Sequence, residues 1–202
     1  VRMAMTYIEE LMAGNPRHPA VMTFKTGVKK HGSITARQAH LVFDSGGYAA
    51  FKAQRGVTYG SRCLGPYKIP NGLVDSYVVY TNKVPCGSMR APGDPQSIFA
   101  AEAQMDLIAR DLGIDPVEFR RKNLVQDGDV SSLGQLWQNV MGLRTLEAAV
   151  EEAGYEKEKP ISPGRLTGRG MALCERHVGA GSSTVRISVD SDGGVTLFTA
   201  LP

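Results

Sequence analysis

Met22, Phe24, Thr26 and Val28 alternate with Thr23, Lys25 and Gly27, the period of a half-buried β-strand. Lys30-His31-Gly32 supplies a turn, and Ile34 and Ala36 restart the alternation, so the region predicts a β-hairpin. Val1–Tyr7 alternates in the same way and predicts a strand, as does Leu73–Tyr80 with its Val and Tyr residues. After Pro95 the period changes. Ile98, Ala101, Met105, Ile108 and Leu112 recur at helical spacing, with Asp94 placed to cap the helix, Pro95 in its first turn and Gly113 to stop it. Asp115-Pro116-Val117-Glu118 has the form of a capping box opening a second helix, and Thr145–Ala153 predicts a third. Further on, Gly170–His177, Thr184–Asp190 and Val195–Phe198 predict strands, the last two joined by a turn at Ser191-Asp192-Gly193-Gly194. Strands, then helices, then strands predict an α+β fold: a mixed or antiparallel sheet with packed helices.

The stretch Glu156–Gly168 is charged and rich in Pro and Gly, which marks a linker between residues 1–155 and 169–202. Both ends of the chain read as strands running off the sequence, so it is expected to be an excised or split piece of something larger. Composition adds little beyond exclusions. At 202 residues, 42% hydrophobic and 21% charged, the chain has globular proportions. Its formal charge of +3 comes from scattered Lys and Arg, without the basic stripe that nucleic acid requires. No apolar run approaches membrane-spanning length, so no membrane partner is expected. Cys63, Cys86 and Cys174 are odd in number and far apart, with no CxxC pair; this supports neither a disulfide framework nor zinc, and fits a reducing, cytoplasmic compartment.

Candidate chemistry centres on the loop Pro85–Pro95. It is rich in Gly and Pro and runs into a helix N-terminus, whose N–H groups and dipole can face an anion. Glu102 falls on the apolar side of that helix, where a carboxylate must be hydrogen-bonded; the N–H groups of the preceding loop are its expected donors. Asp106/Arg110 and Glu118/Lys122 are spaced as surface i,i+4 pairs. His18 and His177 lack partners that would make them metal ligands. No metal site is expected in this chain.

Several landmarks occur together and in order: Asn15-Pro16-Arg17-His18-Pro19, Phe24-Lys25-Thr26-Gly27, Asp44-Ser45-Gly46-Gly47-Tyr48-Ala49, Tyr67-Lys68-Ile69-Pro70-Asn71, Thr81-Asn82-Lys83, Cys86–Gln96 and Ile114–Asn123. In this the chain resembles the molybdenum-binding large subunit of the xanthine dehydrogenase/aldehyde oxidase family of molybdenum hydroxylases, including its carbon monoxide dehydrogenase branch. The resemblance implies a partial first molybdopterin-binding domain over 1–155 and the truncated start of a second over 169–202. It also implies oxidation of an aldehyde or aromatic heterocycle with water-derived oxygen at a molybdenum-pyranopterin cofactor. Electrons would leave through [2Fe–2S] clusters and FAD on partner domains or subunits, in an oligomer that includes the rest of the molybdenum subunit.

By resemblance Arg90, in Ser88-Met89-Arg90-Ala91, lies beside the cofactor, with Ser88, Met89 and Gln96 in the cofactor-binding set. Pro92, Ser182 and Ser183 stand at substrate-facing positions. Proline cannot stack on a flat heterocycle as the aromatic residue of purine-oxidising members does, so a purine substrate is not expected. Copper-dependent members carry a cysteine directly after the arginine; here that place is Ala91, and Cys86 is read as a small buried thiol. The family's catalytic glutamate and its other pterin-holding segments match nothing in this sequence. No catalytic residue is therefore assigned, and the polypeptide alone is expected to bind the cofactor weakly and to be inactive. The alternatives are a non-catalytic structural subunit completing a split molybdenum enzyme, or a module that has lost the cofactor.

Overall fold

The computed structural model describes residues 2–48, 59–155, 164, 166–175 and 184–199. Strand β1 (Ala20–Val28) pairs antiparallel with β2 (Ile34–Asp44), and β2 pairs in parallel with β3 (Asn71–Val79), which leaves β2 central. The expected α+β class and mixed sheet are present. The hairpin turn closes through Lys29 and Ser33, with Gly32 at φ 90, a left-handed conformation that glycine adopts without a Cβ penalty.

A 3-10 helix (Tyr59–Leu64) precedes β3. Helix α2 (Asp94–Leu112), α3 (Pro116–Asn123) and α4 (Gly142–Glu152) follow, and a hairpin of β4 (Val185–Val189) and β5 (Val195–Thr199) closes the described chain. Ala39, Leu41 and Phe43 of β2 are fully buried with Cys63 of the 3-10 helix. Removing side chains of that size from water stabilises by about 1.5–3 kcal/mol each for the larger ones. A second cluster joins Met105 and Ala109 of α2 to Val117 and Phe119 of α3, Leu146 and Val150 of α4, and Tyr67 and Leu124.

Arg37 of β2 is buried among these layers. Its guanidinium donates to Thr26 Oγ1 at 3.1 Å, Cys63 O at 2.9 Å and Met105 Sδ at 3.2 Å, tying strand, 3-10 helix and α2 together. Burial lowers its pKa, while it pushes the nearby Cys63 thiol up to about 12. At neutral pH that thiol stays protonated.

Several expectations from the sequence are corrected. Of Val1–Tyr7, residues 2–6 form no strand; Thr6 instead caps a helix, α1 (Tyr7–Ala13), in a reciprocal capping box with Glu9. Capping chemistry outweighed an alternation too short to find a sheet partner. The N-cap of α2 is Gly93, at φ 81, and not Asp94, which lies inside the first turn and forms a buried ion pair with Arg62 at 3.4 Å. Asp115 does cap α3, accepting from Val117 N–H at 2.8 Å and Glu118 N–H at 3.2 Å. The expected i,i+4 pairs give way to other contacts, tertiary for Asp106 and Lys122 and local for Arg110 and Glu118. Asp106 binds Arg120, Arg110 lies near Asp111, Glu118 pairs with Arg121, and Lys122 donates to His31 O.

Residues 170–175 form no strand, because Met171 and Leu173 pack on the larger core instead of pairing; His177 lies outside the described residues. So does most of the expected linker, residues 156–163 and 165. Among the described residues no helix is long and apolar enough to cross a membrane.

Pairing sets up one end of the sheet. Ala20 at the start of β1 faces Phe43, and Asp44 at the end of β2 faces Val79 at the end of β3. An antiparallel strand begins where its neighbour ends, and a parallel strand ends there too. Residues 15–19, 45–47 and 80–86 therefore meet at a single edge, beside the N-terminus of α2.

Candidate functional site

The loop leading into α2 is built at that edge. Cys86 N–H donates to Ser45 O at 2.9 Å, Gly47 N–H to Lys83 O at 2.9 Å and Thr81 N–H to Gly46 O at 3.0 Å. Gly46 is required here. It has φ 71, and a Cβ would lie 2.3 Å from Val84 O. The same segment carries a strongly held carboxylate. Asp44 accepts from Thr81 Oγ1 at 2.6 Å, Lys83 Nζ at 2.9 Å and Gly46 N–H at 2.9 Å. These bonds, Thr81's first, lower its pKa from 3.8 to about 2.

A carboxylate with a depressed folded-state pKa stabilises fully above its unfolded value and loses that contribution as pH falls through the folded one. Acid titration of the 81–86 segment, followed by amide exchange, is therefore expected to show loosening between pH 3.8 and about 2. In Asp44→Asn that step is expected to be absent, with the segment already loosened at neutral pH. An identical acid step in the variant would contradict the assignment.

Three of the residues singled out from the sequence fall on the outer side of this loop. Ser88, Met89 and Arg90 are exposed, and Pro92 and Gln96 are half-buried. The Arg90 guanidinium has no hydrogen-bond or charge partner among the described residues, and the N–H groups of Arg90 and Ala91 have no acceptor there. Gln96 donates through Nε2 to His18 O at 2.8 Å, while its Oε1 is buried and unpaired. Ser182 and Ser183 lie outside the described residues.

Cys86 is 2% exposed, its thiol pKa raised by burial and by Asp44, in keeping with its reading as a small buried thiol. His18 is 3% exposed, and burial lowers its pKa, so the imidazole is neutral. Among the described residues no three His, Cys, Asp or Glu side chains group to hold a metal ion. Two open grooves, one at Trp137, Met141 and Leu173 and the other at Arg37, Asn71 and Ser132, contain no residue of the loop.

Glu102 does not clamp the loop as expected. It accepts from Tyr67 Oη at 2.7 Å, from Arg120 Nε at 3.0 Å and from Leu173 N–H at 2.8 Å, because its turn of α2 faces α3 and not the loop. Burial and Glu102 raise the Tyr67 pKa, keeping the phenol protonated as donor. What sequence reasoning missed was the loop's support. Asp44, Thr81 and Lys83 were visible only as parts of landmarks, although Asp-Ser-Gly is an Asx-turn signature and Gly46 N–H does bind Asp44.

The arrangement invites comparison with known proteins. Residues 1–124 match the family model described as the molybdopterin cofactor-binding domain. The chain is 37% identical over 164 residues to the nicotinate dehydrogenase large molybdopterin subunit of Eubacterium barkeri, covering 79% of this chain and 39% of that protein. It is 31% identical over 209 residues to the aldehyde oxidoreductase of Megalodesulfovibrio gigas, covering 99% and 23%. The aldehyde oxidoreductase structure from Desulfovibrio gigas superposes with a TM-score of 0.68 at 25% identity, covering 96% of this chain and 22% of that one. The CO dehydrogenase of Oligotropha carboxidovorans superposes at 0.67 with 22% identity over 75% and 20%, a likeness of fold alone. The chain thus spans well under half the length of the relatives it matches.

Proposed function

The chain belongs to the molybdopterin cofactor-binding domain family, and from that premise we propose that the 84–96 loop forms one wall of a molybdenum-pyranopterin pocket in a molybdenum hydroxylase. The observation that carries this is the exposed Arg90 guanidinium, without a partner among the described residues, on a loop whose base is tied by backbone hydrogen bonds to residues 45–47. The donor set fits the group. A guanidinium with the N–H groups of Arg90 and Ala91 suits anionic oxygens, and Gln96 Oε1, buried without a donor, suits an N–H of the pterin. The Gln96 amide is oriented for this role because its Nε2 is already committed to His18 O. Met89 and Ser88 would line the same side, and Pro92 the approach to substrate.

When bound, the cofactor supplies the oxidation of a C–H bond with water-derived oxygen. This chain's residues bind, orient and shield. No acid or base among them is assigned to the reaction, so the unit is not catalytic by itself. The substrate class is an aldehyde or aromatic heterocycle, supported by the relatives named for nicotinate and aldehyde oxidation. Iron–sulfur and flavin domains or subunits would accept the electrons, in an oligomer with the rest of the molybdenum subunit. The free thiols of Cys63, Cys86 and Cys174 accord with the cytoplasm.

Hydrogen exchange on the full protein, cofactor-loaded against cofactor-stripped, tests this reading. Amides of residues 88–93 are expected to slow markedly in the loaded form. Equal exchange in both forms would reject the loop as a cofactor wall.

A further inference from the structure

Four consecutive residues, 15 to 18, each hydrogen-bond the loop between Pro85 and Gln96. Asn15 Nδ2 donates to Pro85 O at 2.9 Å, and Pro16 O accepts from Gly87 N–H at 3.1 Å. Arg17 Nη2 donates to Arg90 O at 2.8 Å and its Nη1 to Ala91 O at 3.2 Å, while His18 O accepts from Gln96 Nε2 at 2.8 Å. The contacts advance along both segments in the same direction, so residues 15–18 lie on the loop as a strap. The fit is close. A Cβ on Gly87 would come within 2.7 Å of the Asn15 Cβ.

Arg17 occupies the decisive position. Ala91 has φ 57, left-handed backbone that strains a residue carrying a Cβ and persists only where its surroundings hold it. The carbonyls of Arg90 and Ala91 belong to the two peptide planes on either side of that strained Cα. One planar guanidinium donating to both fixes the two planes against each other, and with them the Ala91 torsions. A lysine ammonium is a point charge without this fork. Arg90 adjoins the locked turn, so the direction in which its side chain leaves the loop depends on it.

We propose that Arg17 is a positioning residue: its fork locks the left-handed turn at Ala91 and so aims Arg90. The inference rests on the reading of Arg90 as cofactor-facing, and its test separates the two. In the full cofactor-containing protein, Arg17→Met, Arg17→Lys and Asn15→Ala are compared with wild type by amide exchange and by bound pterin and molybdenum. In Arg17→Met, exchange across residues 88–94 is expected to rise about tenfold or more, with β2 and the rest of α2 unchanged. Bound pterin is expected to fall with it. Arg17→Lys, which keeps the charge and loses the fork, is expected to recover only a minor part of both, and Asn15→Ala to loosen residues 85–88 alone. Wild-type exchange at 88–94 in Arg17→Met, or full recovery by lysine, would overturn the lock. A loosened loop with undiminished pterin would leave the lock standing and overturn the cofactor reading of Arg90.

Discussion

Replacing Arg120 by methionine is expected to lower the unfolding free energy by about 3–5 kcal/mol, the usual cost of removing one partner of a buried ion pair. Arg120 is fully buried, and its guanidinium reaches Glu102, Asp106, Pro116 O and Met171 O. Burial works against its charge, but the Glu102 and Asp106 carboxylates more than offset this and raise its pKa, so it stays protonated. Methionine would fill the stem and leave the buried Glu102 carboxylate, 4% exposed, without its ion-pair partner. Glu102 also holds Leu173 N–H, so the loss should reach the 171–173 segment as well as the α2–α3 contact.

Urea unfolding followed by far-UV circular dichroism measures the effect as a shift in midpoint at constant slope. Adding Glu102→Leu to Arg120→Met should restore only part of the loss, since it removes the unpaired carboxylate but leaves the Tyr67 hydroxyl and Leu173 N–H without their acceptor. A loss below about 1 kcal/mol in the single variant would mean that the network contributes little beyond an exposed pair.

Local patterns carried much of the fold into view. Period-two alternation found β1 and the start of β2, helical spacing found α2, and Gly113 stops that helix at φ 66 as its place after Leu112 implies. These features depend on residues a few positions apart. What depends on distant partners was not legible. Asp94 reads as a cap because nothing near it announces Arg62, and Glu102 reads toward the loop because Arg120 and Leu173 lie on other segments. The parallel pairing of β2 with β3 leaves no trace in either strand's own period. Thr6 and Glu9 do spell a capping box, but it sits inside an alternation that reads equally as a strand.

The candidate site divides along the same line. Family resemblance pointed to Ser88, Met89, Arg90 and Gln96, and the structure puts the first three together on the exposed side of one loop. The groups that shape the loop, Arg17 above all, sit some seventy residues earlier in the chain. Their contacts exist only once the sheet has brought residues 15–19 to the end of β2.

The cofactor role proposed for this loop depends on Arg90 facing the cofactor, and its removal carries the second large loss. Arg90 is exposed and its side chain supports no part of the fold, so Arg90→Met should leave the unfolding midpoint unchanged. A charge-assisted bond from a guanidinium to an anionic oxygen contributes about 1.5–3 kcal/mol, equivalent to roughly 10–150-fold in affinity. The deciding measurement is bound pterin and molybdenum per polypeptide in the full protein carrying Arg90→Met, after dialysis against cofactor-free buffer. A loss of most of both, with wild-type stability, is the expected result; full retention of both would contradict a cofactor-facing Arg90.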